Sequence, residues 1–186
     1  MELRFSGTSN HAGTTPMALR HDAGMCAMRC AAFVHNLVAR YGGGQLGTVG
    51  TLQLKPNLIN VIAQEAVMTV DLRNTQAAPL RQAQAEVLAF AQRVAHENGV
   101  QLTHRSLADF EPVAFDASLI DGVEQHAHAL GLSTLRMPSG AGHDAQMLAR
   151  VCPTAMVFVP SREGLSHNVR EYTAPEVASR SWVSIL

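Results

Sequence analysis

Residues 137–147, MPSGAGHDAQM, set three of the smallest side chains directly ahead of a His-Asp pair at what reads as the start of a helix. Gly and Ala let another group approach the backbone closely, and a helix start offers N–H groups without intrahelical partners. Gly140, Ala141 and Gly142 are therefore candidates for binding a ligand through the main chain. Taken alone, the stretch is more simply a strand-to-helix turn with Asp144 in a favourable first-turn position. Two further loops carry histidines among small and polar residues: TSNHAGTTP around His11, and GLSHN around His167. Neutral imidazole binds zinc and titrates near neutrality, so each is a candidate ligand or acid–base group, against the plainer reading of a surface side chain or turn cap. His21, His35, His96, His104, His126 and His128 lack that setting.

These residues do not add up to a catalytic centre by spacing alone. HExxH and H-x-D are both absent, the carboxylates are scattered, and there is no G-x-S-x-G for a triad hydrolase. His167 can serve as a ligand only if other ligands come from elsewhere.

The elements that must position them follow from periodicity. Residues 2–7 read as a strand, and apolar positions from Thr15 to Arg40 recur at helical spacing until Tyr41-Gly42-Gly43-Gly44. A strand over 46–55 ends at Pro56-Asn57. The next, 66–73, alternates with period two: Met68, Val70 and Leu72 on one face, Val67, Thr69, Asp71 and Arg73 on the other. A second helix over 79–98 is capped by Gly99, and residues 100–105 resume a strand. The order β-α-β-β-α-β is that of a ferredoxin-like sandwich, with both helices on one face of a four-stranded antiparallel sheet and Asp71 and Arg73 on the open face.

Beyond residue 113 the pattern changes. A helix is expected over 116–130, a short strand over 133–136, a helix over 143–150, an apolar strand over 154–159 (TAMVFV) and a last helix from near Ala174. Alternating helix and apolar strand points to one side of a parallel or mixed α/β sheet. The expected domains are thus 1–113 and 114–186. The abrupt opening strand and the closing EVASRSWVSIL, read as an apolar helix, suggest part of a longer protein.

Composition excludes several function classes. The 186 residues are 47% hydrophobic and 16% charged, with a formal net charge of −1. A packed core is expected, and with no Lys/Arg block neither nucleic acid nor an acidic membrane surface is an expected partner. No apolar run approaches the ~20 residues of a membrane span. Cys26, Cys30 and Cys152 form no CxxC pair, which favours reduced thiols and a cytoplasmic protein.

Five motifs in register carry a resemblance. Ser9-Asn10-His11-Ala12-Gly13-Thr14-Thr15-Pro16-Met17 with Arg20-His21-Asp22-Ala23, then Asn60-Val61-Ile62, Asp71-Leu72-Arg73, the 139–145 stretch, and Met156–Ser161 through Gly164–Asn168 to Glu171 cover almost the whole chain. Together they resemble the N-carbamoyl-L-amino-acid hydrolase, allantoate amidohydrolase and β-ureidopropionase group of the metal-dependent aminoacylase–carboxypeptidase superfamily. The resemblance implies a ferredoxin-like lid domain followed by the C-terminal part of a zinc-peptidase-like α/β catalytic domain.

By the same resemblance His167 is a metal ligand, His11 a catalytic lid residue, and Asn60 and Arg73 substrate-binding residues, the lid reaching the substrate partly across a homodimer. Arg73 would grip the substrate carboxylate, as a planar guanidinium suits it. The complete enzyme would carry two divalent metal ions (Zn, Mn, Ni or Co) and use metal-activated hydroxide on a ureido carbonyl. The family's other metal ligands and its water-activating glutamate belong to an N-terminal half that this sequence does not contain, so the chain alone is expected to retain no metal and to be inactive. The substrate class is N-carbamoyl-L-amino acids; alternatives are allantoate, or a non-catalytic ferredoxin-like module that dimerises or binds a metabolite.

Overall fold

Antiparallel pairing of three strands around the first one organises residues 1–112. In a computed structural model describing residues 1–176 and the backbone of 183–185, β1 (Glu2–Ser6) lies between β3 (Glu65–Arg73) and β4 (Gln101–Arg105), and β2 (Leu46–Lys55) pairs outside β3. The order β2-β3-β1-β4, antiparallel throughout, is that of the split βαβ sandwich. Leu3 lies opposite Met68, and Phe5 opposite Ala66. All four are buried, because they share the face that receives the helices.

α1 (Ala23–Tyr41) and α2 (Ala77–Glu97) cover that face. α1 buries Ala23, Cys26, Ala27, Cys30, Val34 and Leu37, and α2 buries Leu80, Ala83, Val87, Ala91 and Val94, each at helical spacing. Phe33 and Phe90 stack between the two helices with ring centroids 4.0 Å apart. Burial pushes the Cys26 thiol up to about 11 and the Cys30 thiol up to about 12, so both are neutral packing groups.

The first helix begins later than its apolar period suggests. Met17–Leu19 is a single 3-10 turn, Arg20 is extended, and α1 starts only where the Asp22 carboxylate accepts the Met25 N–H at 3.0 Å. Gly7, just past β1, admits no side chain: a Cβ there would stand 1.9 Å from the His21 carbonyl oxygen.

Residues 113–186 form a second compact unit. α3 (Ala117–Ala129) is capped by Asp116, whose carboxylate accepts the Leu119 N–H, and it packs Ile120 and Ala127 against Phe115, Val123, Leu132 and Ala155. β5 (Thr134–Arg136) is tied to α3 by Arg136, which pairs with Asp121 and Glu124. α4 (Ala145–Leu148) is four residues long, half of the expected 143–150 span.

Two expectations for this unit are corrected. TAMVFV does not form a strand; Phe158 alone makes a bridge. The first carbonyl of the segment, Thr154 O, accepts the Asp116 N–H at the start of α3 and so is bonded to a helix cap instead of a neighbouring strand. The last helix covers Pro175 and Glu176 among the described residues; 177–182 lie outside them. The closing stretch read as helical instead contains β6 (Val183–Ile185), parallel to β5, with Thr134 opposite Val183. That parallel pair agrees with the expected sheet type.

The contrast between a buried and an exposed side chain gives a measurable expectation. Phe5→Ala, deep in the first core, should cost about 3–5 kcal/mol, while Leu130→Ser, at a side chain already exposed, should stay within about 0.5 kcal/mol. Urea unfolding followed by circular dichroism measures both. Equal small shifts would contradict the burial described here.

Candidate active site

The histidine loop is an outward continuation of the β1–β3 pair. Past Ser6 and Glu65 the Gly7 N–H donates to Gln64 O at 2.7 Å; farther out, Ile62 N–H donates to Asn10 O and Ala12 N–H to Asn60 O, each at 2.9 Å. His11 and Val61 form an isolated antiparallel bridge between these two bonds. The buried Ile62 anchors the 60–62 arm to the protein interior. His11 and Asn60, forty-nine residues apart in sequence, therefore stand on adjacent backbone segments at one end of the sheet.

Local bonds then fix the histidine. Asn10 Oδ1 accepts the His11 N–H at 2.8 Å, His11 O accepts from both the Thr15 N–H (3.2 Å) and the Thr15 hydroxyl (2.7 Å), and His11 Nδ1 accepts the Gly13 N–H at 3.0 Å. Ser9 Oγ is buried with no hydrogen-bond partner among the described residues.

Arg73 lies elsewhere. It ends β3, so the nine residues of that strand, about 27 Å at 3.4 Å per step, separate it from the His11–Asn60 end. Its Nε and Nη2 donate to the Asp71 carboxylate, the shortest contact being 2.6 Å, on the sheet face away from the helices. The Arg73 hydrogen bonds hold the Asp71 carboxyl below the usual aspartate range, with burial opposing them, and Asp71 in turn raises Arg73. On the same face Glu65 is lowered by Lys55 and Arg4, with Lys55 Nζ 2.8 Å from Glu65 Oε1.

The remaining candidates belong to the second unit and occupy different loops. In 139–145, Ala141 N–H donates to Ser139 Oγ at 3.1 Å, and His143 Nδ1 accepts the Ala145 N–H at 3.0 Å. His143 thus caps the short turn of α4 with its ring nitrogen. Among the described residues a Cβ at Gly142 would meet only Gln146 Oε1, at 3.9 Å, so none of them demands glycine there by close contact.

His167 sits in the loop 160–173, closed at its base by Arg162 N–H to Tyr172 O (2.8 Å) and Thr173 Oγ1–H to Pro160 O (3.0 Å). Its backbone is left-handed, φ 54°, and its N–H donates to Glu171 Oε2 at 2.9 Å. Glu171 therefore serves the loop's main chain. Among the described residues no three His, Cys, Asp or Glu side chains gather as a metal would require, so these residues do not by themselves fit a metal centre.

Arg20 belongs to the first sequence motif, but its neighbours in sequence do not show its task. The structure turns its side chain back onto the His11 loop, where it bonds Ala12 O and Thr15 O. A cation bonded to carbonyls leaves no pattern in sequence; the one available signal is an arginine between the loop and the Asp22 cap.

The chain belongs to peptidase family M20/M25/M40, whose model matches residues 7–181. It is 35% identical over 184 residues to the N-carbamoyl-L-amino-acid amidohydrolase of Rhizobium meliloti (99% of this chain, 43% of that protein), and 34% identical over 171 residues to the allantoate amidohydrolase of Escherichia coli K12 (92% and 42%). A crystal structure of a hydantoinase/carbamoylase family amidase from Burkholderia vietnamiensis superimposes with a TM-score of 0.92 at 36% identity, over 96% of this chain and 43% of that one. The resemblance read from the motifs is thus the family found, and the chain spans less than half the length of these relatives.

The Asp71–Arg73 pair gives a titration to check. A carboxyl whose folded pKa is depressed adds stability above its unfolded pKa, about 3.9, and loses it as pH falls through the lower folded value. Carbon-13 titration of Asp71 should give a midpoint below the ordinary aspartate value, moving up in Arg73→Gln. An unchanged midpoint in that variant would remove Arg73 as the cause.

Proposed function

We propose that the chain supplies the lid and the C-terminal catalytic portion of a metal-dependent amidohydrolase that cleaves the ureido C–N bond of N-carbamoyl-L-amino acids. The observation that carries this reading is the backbone ladder setting His11 beside Asn60, in a chain whose relatives include N-carbamoyl-L-amino-acid amidohydrolases. Divalent metal ions would be held chiefly by residues outside this chain, with His167 as its one contribution.

The chain's own residues have distinct tasks in this reading. His11 and Asn60 offer hydrogen-bond donors to the ureido carbonyl oxygen, where negative charge grows in the transition state. Arg73 takes the substrate carboxylate through its planar fork, exchanging part of its contact with Asp71. By the resemblance, main-chain groups of Gly140, Ala141 and Gly142 would bind the substrate as well.

The length of β3 sets a condition on that division. A small ureido acid cannot span about 27 Å, so it cannot touch His11 and Arg73 of one chain together. A second copy resolves the conflict, each site taking His11 and Asn60 from one protomer and Arg73 from the other. β2 suits such pairing: it is a ten-residue edge strand without charge before Lys55.

Placing residues 1–186 in the matching segment of the Geobacillus stearothermophilus N-carbamoyl-L-amino acid amidohydrolase tests the substrate class. We expect turnover of N-carbamoyl-L-amino acids above that of allantoate, and a loss of about 10²–10³ in kcat for His11→Ala. Preference for allantoate, or an unchanged kcat, would contradict the reading.

The shared site has its own check. Arg73→Lys should lower kcat/KM by roughly 2–4 kcal/mol. Refolding that variant together with His11→Ala should restore about a quarter of the parent activity, since half the dimers are mixed and each holds one intact site. No recovery on mixing would place both residues in a single protomer's site.

A further inference from the structure

The segment between β1 and α1 lacks regular structure beyond the His11–Val61 bridge and one 3-10 turn, yet one side chain ties it together. Arg20 Nη2 donates to Ala12 O at 2.6 Å and Nε donates to Thr15 O at 3.0 Å. Its two bonds thus close the 12–15 turn from both ends. Thr15 also bonds His11 O through its N–H and its hydroxyl, so the backbone of the histidine is clamped by the same assembly.

One of these bonds reaches the imidazole itself. Ala12 O and Gly13 N belong to a single planar peptide unit. Arg20 grips the oxygen of that unit, and the N–H on its other side donates to His11 Nδ1 at 3.0 Å. The relay runs from guanidinium to carbonyl oxygen, across the amide, and from amide hydrogen to ring nitrogen. A cation at the oxygen draws charge from the amide nitrogen and makes its hydrogen a stronger donor. A ring nitrogen that accepts cannot also carry the proton, so the neutral ring holds it on Nε2.

We propose that Arg20 is a positioning residue that sets His11 in the Nε2–H tautomer through the Ala12–Gly13 peptide. His11 then meets its ligand as a hydrogen-bond donor, and its acceptor nitrogen is turned inward. The ring lies against Gly13, where a Cβ would come within 3.2 Å of His11 Cε1, so the residue carrying the relay N–H is one that leaves the ring room. Arginine suits the task because its fork reaches two carbonyls at once, whereas lysine brings a point charge without that geometry. The value of a donor in turnover rests on the function proposed above; the tautomer does not.

The test therefore needs no substrate. In the 186-residue chain labelled with nitrogen-15 at histidine and glycine, His11 is assigned by its disappearance in His11→Gln. We expect an acceptor-type Nδ1, a protonated Nε2, and a coupling across the hydrogen bond to the Gly13 amide. Arg20→Met should lower the ratio of the Nε2–H to the Nδ1–H form about tenfold and speed Gly13 amide exchange by a similar factor. Arg20→Lys should fall between, and exchange at Ile62 reports whether the neighbouring ladder survives. If Arg20→Met disturbs Ile62, the lysine variant carries the comparison. A wild-type ring protonated on Nδ1 overturns the proposal, and so does a ratio unmoved in both variants. An inactive enzyme with the expected tautomer would instead count against the proposed function alone.

Discussion

The pairing of β1 with β3 is the constraint from which the candidate site follows. In antiparallel strands each residue has a fixed partner, so Ser6 opposite Glu65 determines which backbone groups meet beyond the sheet. The chain leaving β1 and the chain entering β3 then meet again through Asn10, Ala12, Asn60 and Ile62. A histidine and an asparagine forty-nine positions apart become neighbours without either being buried. A one-residue slip would turn Leu3 and Phe5 from the core to the open face, so core burial protects the register on which His11 depends. The apolar interior of the first unit thus fixes the address of an exposed polar loop.

The same geometry separates functions along the sheet. Arg73 ends the strand whose beginning supports Asn60, and Asp71 holds its guanidinium on the open face. Under the proposed function a single protomer would offer donors for a carbonyl at one end and a fork for a carboxylate at the other. Under that function a second copy would reconcile those ends, and β2, without charge before Lys55, is an open edge for it.

Much of the first unit could be read from sequence because its signals are local and agree. Alternation in 66–73 and the helical stripes of α1 and α2 specify which faces are buried, and two helices between four strands admit few arrangements. The beginning of α1 was less legible: Ala18 and Leu19 continue an apolar pattern, but Asp22 supplies the cap that decides where hydrogen bonding begins. TAMVFV has the composition of a buried strand, but its partners are a property of other backbone, and the Thr154 carbonyl is used by α3. For the site, sequence marked His11, Asn60 and Arg73 but not their separation, which depends on strand direction. Nor did it show the work of Arg20, whose acceptors are carbonyls common to every residue.

Amide hydrogen exchange at Ala12 and Ile62 tests the central claim most directly, because these two N–H groups make the bonds on either side of the His11–Val61 bridge. If the β1–β3 register carries the site, both should be protected well above the rate of an unstructured chain, and both should lose protection together when Phe5→Ala weakens the strand pair. Exchange of Ala12 and Ile62 at the unstructured rate in the wild-type chain, with β1 and β3 still protected, would contradict the account.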